Sequence, residues 1–145
     1  MVSEPKMREI LFRGKRICEK KNWVEGCLLN LDADSGHVFI VPFFNGASTM
    51  PVSRIVECTS NYVNPETVGQ FTGLTDKNGK KIFEGDVVEV NHDAYPGVRG
   101  KVFFKNGSFM LKNVSDVLTL YGFLPWCEVI GNIHDNPELL EVSHA

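Results

Sequence analysis

The chain has 145 residues, with 15 Lys and Arg against 18 Asp and Glu, giving a formal charge of −3. Hydrophobic residues make up 43% and charged residues 23%, the balance of a globular protein long enough to bury a core without a disulfide or metal staple. No stretch approaches the ~20 apolar residues of a membrane span, and Met1–Lys6 has no apolar signal core. The expectation is therefore a cytoplasmic protein with no membrane partner.

In chain order, short β-like runs recur between turn residues, while helical periodicity is scarce. The first run is Arg8–Arg13, closed by Gly14, followed by Trp23–Leu29 and His37–Val41. Residues 30–36 between the latter two are rich in Asn, Asp, Ser and Gly, which tolerate turn dihedrals. A fourth run spans Val52–Cys58. Asn64-Pro65 reads as a cap with proline at the first helical position, opening one short turn. Asp76–Gly79 is a turn between Gln70–Thr72 and Lys81–Phe83, and Gly85-Asp86 breaks the chain before Val87–Val90. Asn91–Gly100 reads as a long loop. Lys101–Phe104 and Ser108–Leu111 flank Asn106-Gly107, the strongest short-range hairpin signal in the chain. Residues 113–124 are ambiguous between strand and helix. Glu128–Ile133 reads as a closing strand, and Asp135 or Asn136 as the cap of a last helical turn.

Gly85-Asp86-x-Val88-x-Val90, a loop, then Gly100-x-Val102 is the rhythm of many small barrels, with alternate valines facing a core. That rhythm argues architecture and not ligand. The four cysteines, Cys18, Cys27, Cys58 and Cys127, show no C-x-x-C spacing and read as free thiols. Residues 1–22 carry seven basic and three acidic groups, so a net +4 at the start offsets −7 in the remainder. The bland reading is a solvated face.

Four blocks carry a family resemblance: Met7–Arg13, Thr67–Leu74, Asp76–Val88 and Glu128–Leu140. With them, the chain from Met7 to Glu141 resembles the YopX family of phage and prophage proteins. The resemblance implies a mostly β protein with an SH3-like small barrel in its C-terminal half and an irregular β-rich N-terminal half. Residues 1–66 would form the N-terminal region and 67–145 the barrel domain. It also implies a phage- or prophage-carried gene expressed in a bacterial cytoplasm, and it brings no established activity and no catalytic residues.

Three functions compete. An enzyme would have to use His92-Asp93 or His134-Asp135, yet no nucleophile elbow accompanies either pair and both read as polar turns. His92, Asp93 and Glu89 have no spacing that requires a metal. The expectation is a non-enzymatic protein with no catalytic residue, no metal and no cofactor. Nucleic-acid binding would draw on the basic stretch Lys77, Lys80, Lys81, Arg99, Lys101, Lys105 and Lys112, with Lys77, Lys80, Arg99, Lys101 and Lys105 as candidate contacts and Tyr95 as a stacking platform. Against this, tip lysines also keep hairpins soluble. Binding and assembly is the favoured reading, as a homo-oligomer or with a phage or host protein. Phe43-Phe44 marks the expected interface, because adjacent strand residues face opposite ways and one ring must leave the local core. Phe103-Phe104 poses the same question.

Overall fold

The computed structural model describes residues 8–18, 21–32, 36–42 and 62–141. Among them the chain is mostly β, in two antiparallel sheets. The first contains β1 (Phe12–Lys15), β2 (Trp23–Asp32), β3 (His37–Val41), β4 (Tyr62–Val63), β5 (Gly69–Thr75) and β6 (Lys81–Phe83), in the order β4-β3-β2-β1-β5-β6. The second contains β7 (Asp86–His92), β8 (Tyr95–Lys105), β9 (Ser108–Lys112), β10 (Val117–Thr119) and β11 (Cys127–Asn132), in the order β10-β9-β8-β7-β11. No closed barrel ladder joins the outer strands of this second sheet among the described residues.

Period-2 alternation puts Val88 and Val90 of β7, Val102 of β8, Leu111 of β9, Leu118 of β10 and Val129 of β11 on one buried face. Each such side chain, withdrawn from water, stabilises the fold by about 1.5–3 kcal/mol. The β5–β6 hairpin is shared between two cores. Ile82 belongs to this cluster and Leu74 packs against it, while Phe71 and Phe83 join Leu11 in a second cluster. The split arises at an irregularity in the pairing between Phe71 and Thr75, where Gly73 adopts φ +83°, a conformation that glycine takes without steric cost. Val24, Val38, Ile40 and Val63 form a third cluster within the first sheet.

Several local expectations are met and others corrected. Asn64 caps the 3-10 turn Pro65–Thr67 by accepting the Glu66 N–H at 3.1 Å. Asn106 (φ +53°) and Gly107 (φ +78°) make the expected two-residue turn between β8 and β9. The first strand, however, begins later than expected, and Gly14 lies buried inside it, opposite Val24. Asn91–Gly100 is not a loop: β8 starts at Tyr95, and His92 pairs with Tyr95 across a tight turn. The Asn91 side chain accepts the Gly97 N–H at 3.1 Å, giving Gly97 a partner where the register shifts. Residues 113–126 hold both candidate structures, β10 and then a 3-10 segment Tyr121–Trp126. Neither Asp135 nor Asn136 caps the final 3-10 turn Pro137–Leu140. Asn136 makes no side-chain cap bond, and Asp135 is drawn away to Lys15 and Trp23. The run Val52–Cys58 lies outside the described residues.

Candidate functional site

The register of the second sheet fixes what its outer face presents. Cross-strand partners share a face, so Lys101 lies opposite Lys112, which lies opposite Val117. The next rows are Phe103, Met110 and Thr119, then Lys105 and Ser108. Lys105 and Lys112 are exposed, and Phe103 and Met110 are half-buried between the strands. None of Lys101, Lys105 and Lys112 meets a carboxylate among the described residues. One hollow of about 260 Å³ is bordered by Phe103, Lys105, Met110, Lys112, Val117 and Thr119. A second, of about 250 Å³, is bordered by Lys101, Lys112, Asn113, Val114 and Leu140. Lys112 borders both.

Of the six sequence-derived nucleic-acid contacts, the structure brings only Lys101 and Lys105 together on this face. Lys77 sits on the β5–β6 tip, 3.5 Å from Glu128, and Lys80 is exposed on the same tip. Tyr95 packs edge-on against Phe123 at 5.3 Å beside the main core instead of standing free. Arg99 is bound to Glu89 at 3.0 Å. Side-chain hydrogen bonds from Arg99 and Asn91 hold the Glu89 carboxyl below its usual range. Phe43 and Phe44 lie outside the described residues. Sequence reasoning counted Lys112 among the basic residues and raised Phe103 beside Phe104, but did not place Lys112, Phe103 and Met110 on one face. The signal for them was the Asn106-Gly107 turn itself, which sets the register that pairs 101 with 112 and 103 with 110.

Phe104 and Phe109, the next pair along the hairpin, point to the opposite face, with ring centroids 5.1 Å apart. There they border a groove of about 380 Å³ together with Arg8, Thr72, Leu74 and Tyr121. Phe104 is 54% exposed and Tyr121 78%. Nearby, His92 stands edge-on to Trp126 at 4.5 Å and to Phe123 at 5.5 Å, and its Nδ1 accepts the Ala94 N–H at 3.0 Å. That geometry employs His92 in the turn.

The most heavily charged interior lies at the seam between the sheets. Arg13 of β1 places Nη2 2.6 Å from Asp86 Oδ1 at the start of β7, and its guanidinium sits 4.8 Å from both the Trp23 and Phe83 ring centres. The Asp86 Oδ2 accepts the Phe83 N–H at 2.8 Å. Burial pushes the Asp86 carboxyl above its usual range despite the opposing pull of Arg13. His134 lies 5.9 Å from the Trp23 ring; burial, with Arg13 beside it, lowers its pKa. Asp135 accepts from Lys15 Nζ and Trp23 Nε1, each at 2.6 Å, and the Lys15 bond followed by that of Trp23 draws its pKa down to about 2. On the far side of the hairpin, burial acts to raise Asp76, but bonds from the Val129, Lys80 and Asn78 N–H groups outweigh it and leave the pKa lowered. Cys127, a free thiol, is pushed up to about 11 by burial and by Asp76. Among the described residues no three His, Cys, Asp or Glu side chains converge as metal ligands. No helix among them is long and apolar enough to cross a membrane.

Two antiparallel sheets joined by a buried ion pair define an all-β protein. The chain belongs to the YopX family: the family model described as YopX protein matches residues 11–141. Three of the four blocks that carry the resemblance meet at the seam, with Arg13 from the first, Phe83 and Asp86 from the third, and His134 and Asp135 from the last. Among solved structures, the chain is similar to one titled as the crystal structure of protein EF1440 from Enterococcus faecalis. The TM-score is 0.57 and the identity 27%, covering 93% of this chain and 100% of that one. No curated protein matches.

Proposed function

We propose that this is a phage- or prophage-encoded, non-enzymatic binding and assembly protein that self-associates in the bacterial cytoplasm. The observation that supports the reading is the groove beside Phe104 and Tyr121. Two aromatic side chains, each more than half exposed, flank a groove of mixed polar and apolar lining, where their rings are available to a partner. A second copy of the chain is the occupant that costs the cell no additional partner. We also propose that residues 67–145 form an SH3-like small barrel on which the β-rich region 1–66 docks through the β1–β5 pairing. Supporting this, the β5–β6 tip reaches β11: the Lys77 N–H donates to the Cys127 carbonyl at 3.0 Å, and the Val129 N–H donates to Asp76 at 2.9 Å.

Size-exclusion chromatography with light scattering tests the assembly reading. Mass is expected to rise with concentration to a multiple of the 16.2 kDa protomer, and Phe104→Asp or Tyr121→Asp is expected to return it to the monomer. A monomer at every concentration would remove the reading. Multimers indifferent to both substitutions would place the interface elsewhere, with Phe43 and Phe44 the next residues to change.

A further inference from the structure

The outer face of β8, β9 and β10 concentrates uncompensated positive charge on a chain whose net charge is negative. Directly opposed strand residues lie about 5 Å apart at Cβ, so Lys101 and Lys112 form one doubly positive spot. Lys105, four residues along β8, is about 13 Å further on at 3.3 Å per residue. The lysine pair sits between two hollows. One is lined by Phe103, Met110 and Val117, and the other by Val114 and Leu140. Asn106 also lines the first.

Phosphates need point charges, and lysine supplies them without the bidentate geometry of arginine. Bases need apolar platforms of modest size, and an aromatic ring is the most effective one because every base has a π-face. Charge flanked by apolar hollows on both sides matches the order base, phosphate, base along a single strand. A duplex hides its bases and would leave both hollows empty. An acidic peptide would use the lysines alone.

We propose that this face binds a short stretch of single-stranded nucleic acid, with Lys101, Lys105 and Lys112 at the phosphates and bases seated in the two hollows, one of them against Phe103. The site shares only Ser108, at the hairpin tip, with the self-association groove, since Phe103 and Phe104 point to opposite faces of β8.

Fluorescence anisotropy with a labelled oligothymidylate, on the full chain at low salt, tests the site. Binding is expected to weaken with added salt, with a log–log slope of about −2 for three phosphate contacts on a single strand. Lys105→Glu with Lys112→Glu, both at exposed positions, is expected to reduce affinity at least about tenfold and to flatten that slope. Phe103→Leu keeps an apolar side chain but removes the ring, and is expected to cost about fivefold or more. The multimer mass measured by light scattering is expected to stay unchanged in each variant. Inorganic polyphosphate competing as well as the oligonucleotide would overturn the proposal, since it carries charge and no bases. A polyglutamate peptide binding as tightly would overturn it in favour of an acidic protein partner. No binding by the unaltered chain, or unaltered affinity in Phe103→Leu, would overturn it as well.

Discussion

At the seam between the sheets the cations have anions at hand, Arg13 beside Asp86 and Lys15 beside Asp135, whereas Lys101, Lys105 and Lys112 on the outer face of β8 and β9 have none among the described residues. The difference follows from water. The Asp86 side chain is only 2% exposed, and a carboxylate withdrawn from solvent costs several kcal/mol unless a cation and donors replace the water. The lysine ammonium groups stay solvated and need no partner to exist there. Paired charge at the seam holds the two sheets in register. Unpaired charge on the open face stabilises nothing in the fold, and that is what makes it open to the binding role proposed above.

Breaking the seam should produce the largest effect in the molecule. Arg13→Ala leaves Asp86 buried beside two aromatic rings without its cation, and is expected to destabilise the fold by about 3–5 kcal/mol in chemical denaturation. Replacing both partners, Arg13→Met with Asp86→Leu, should recover part of that loss, because no bare charge remains, although the buried Phe83 N–H then lacks the acceptor that Asp86 supplied. The pH dependence separates the two. A carboxyl whose folded pKa is raised destabilises the fold above that pKa and ceases to do so once protonated, so Arg13→Ala should regain stability as the solution is acidified. A loss equal in the single and double variants would mean that packing of the Arg13 side chain, and not its charge, joins the sheets.

Much of this contrast could be read from the sequence, though not all of it. Lys101 to Leu111 around Asn106-Gly107 declares a hairpin, and alternation then separates Val102 and Leu111 from Lys101, Phe103 and Lys105. The outer face was therefore within reach of counting by twos. The seam was not. Arg13, Trp23, Asp86 and Asp135 are scattered along the chain, and only the β1–β5 pairing and the turn after β11 bring them together. Asp86 reads in the sequence as part of the Gly85-Asp86 chain break; an aspartate at a turn bonds local backbone donors, as Asp86 does with the Phe83 N–H, whereas its second role depends on a partner in β1. The Tyr95–Gly100 strand was hidden by Pro96-Gly97, which reads as a turn until the Asn91 side chain is seen to satisfy the Gly97 N–H.

A smaller effect is expected at the solvent end of the seam. Asp135 has its folded pKa drawn down to about 2, below the usual carboxylate range. A depressed carboxyl contributes stability that is complete above the unfolded pKa near 4 and lost as pH falls toward 2. Asp135→Asn should therefore flatten the acid limb of a stability–pH profile between about pH 5 and 2. At neutral pH it should cost about 1 kcal/mol, because Lys15 and Asp135 are each about one-third exposed and solvent screens them. An acid limb unchanged by Asp135→Asn would assign acid sensitivity to the remaining depressed carboxyls, Asp76 held low by backbone donors and Glu89 by side-chain donors.

The smallest effect has the opposite sign and bears most directly on the comparison. Lys101 and Lys112 are like charges directly opposed across β8 and β9, an arrangement that weakens a sheet by a few tenths of a kcal/mol. Lys112→Glu turns that repulsion into an attraction and should stabilise the fold slightly, by about 0.5 kcal/mol at low salt, with the gain fading as salt screens the pair. The same substitution is expected to weaken oligonucleotide binding. A residue whose replacement improves the fold and impairs the ligand is held in place by something other than folding. If Lys112→Glu instead destabilised the protein, the outer face would be part of the scaffold, and the contrast between paired and unpaired charge would lose its functional meaning.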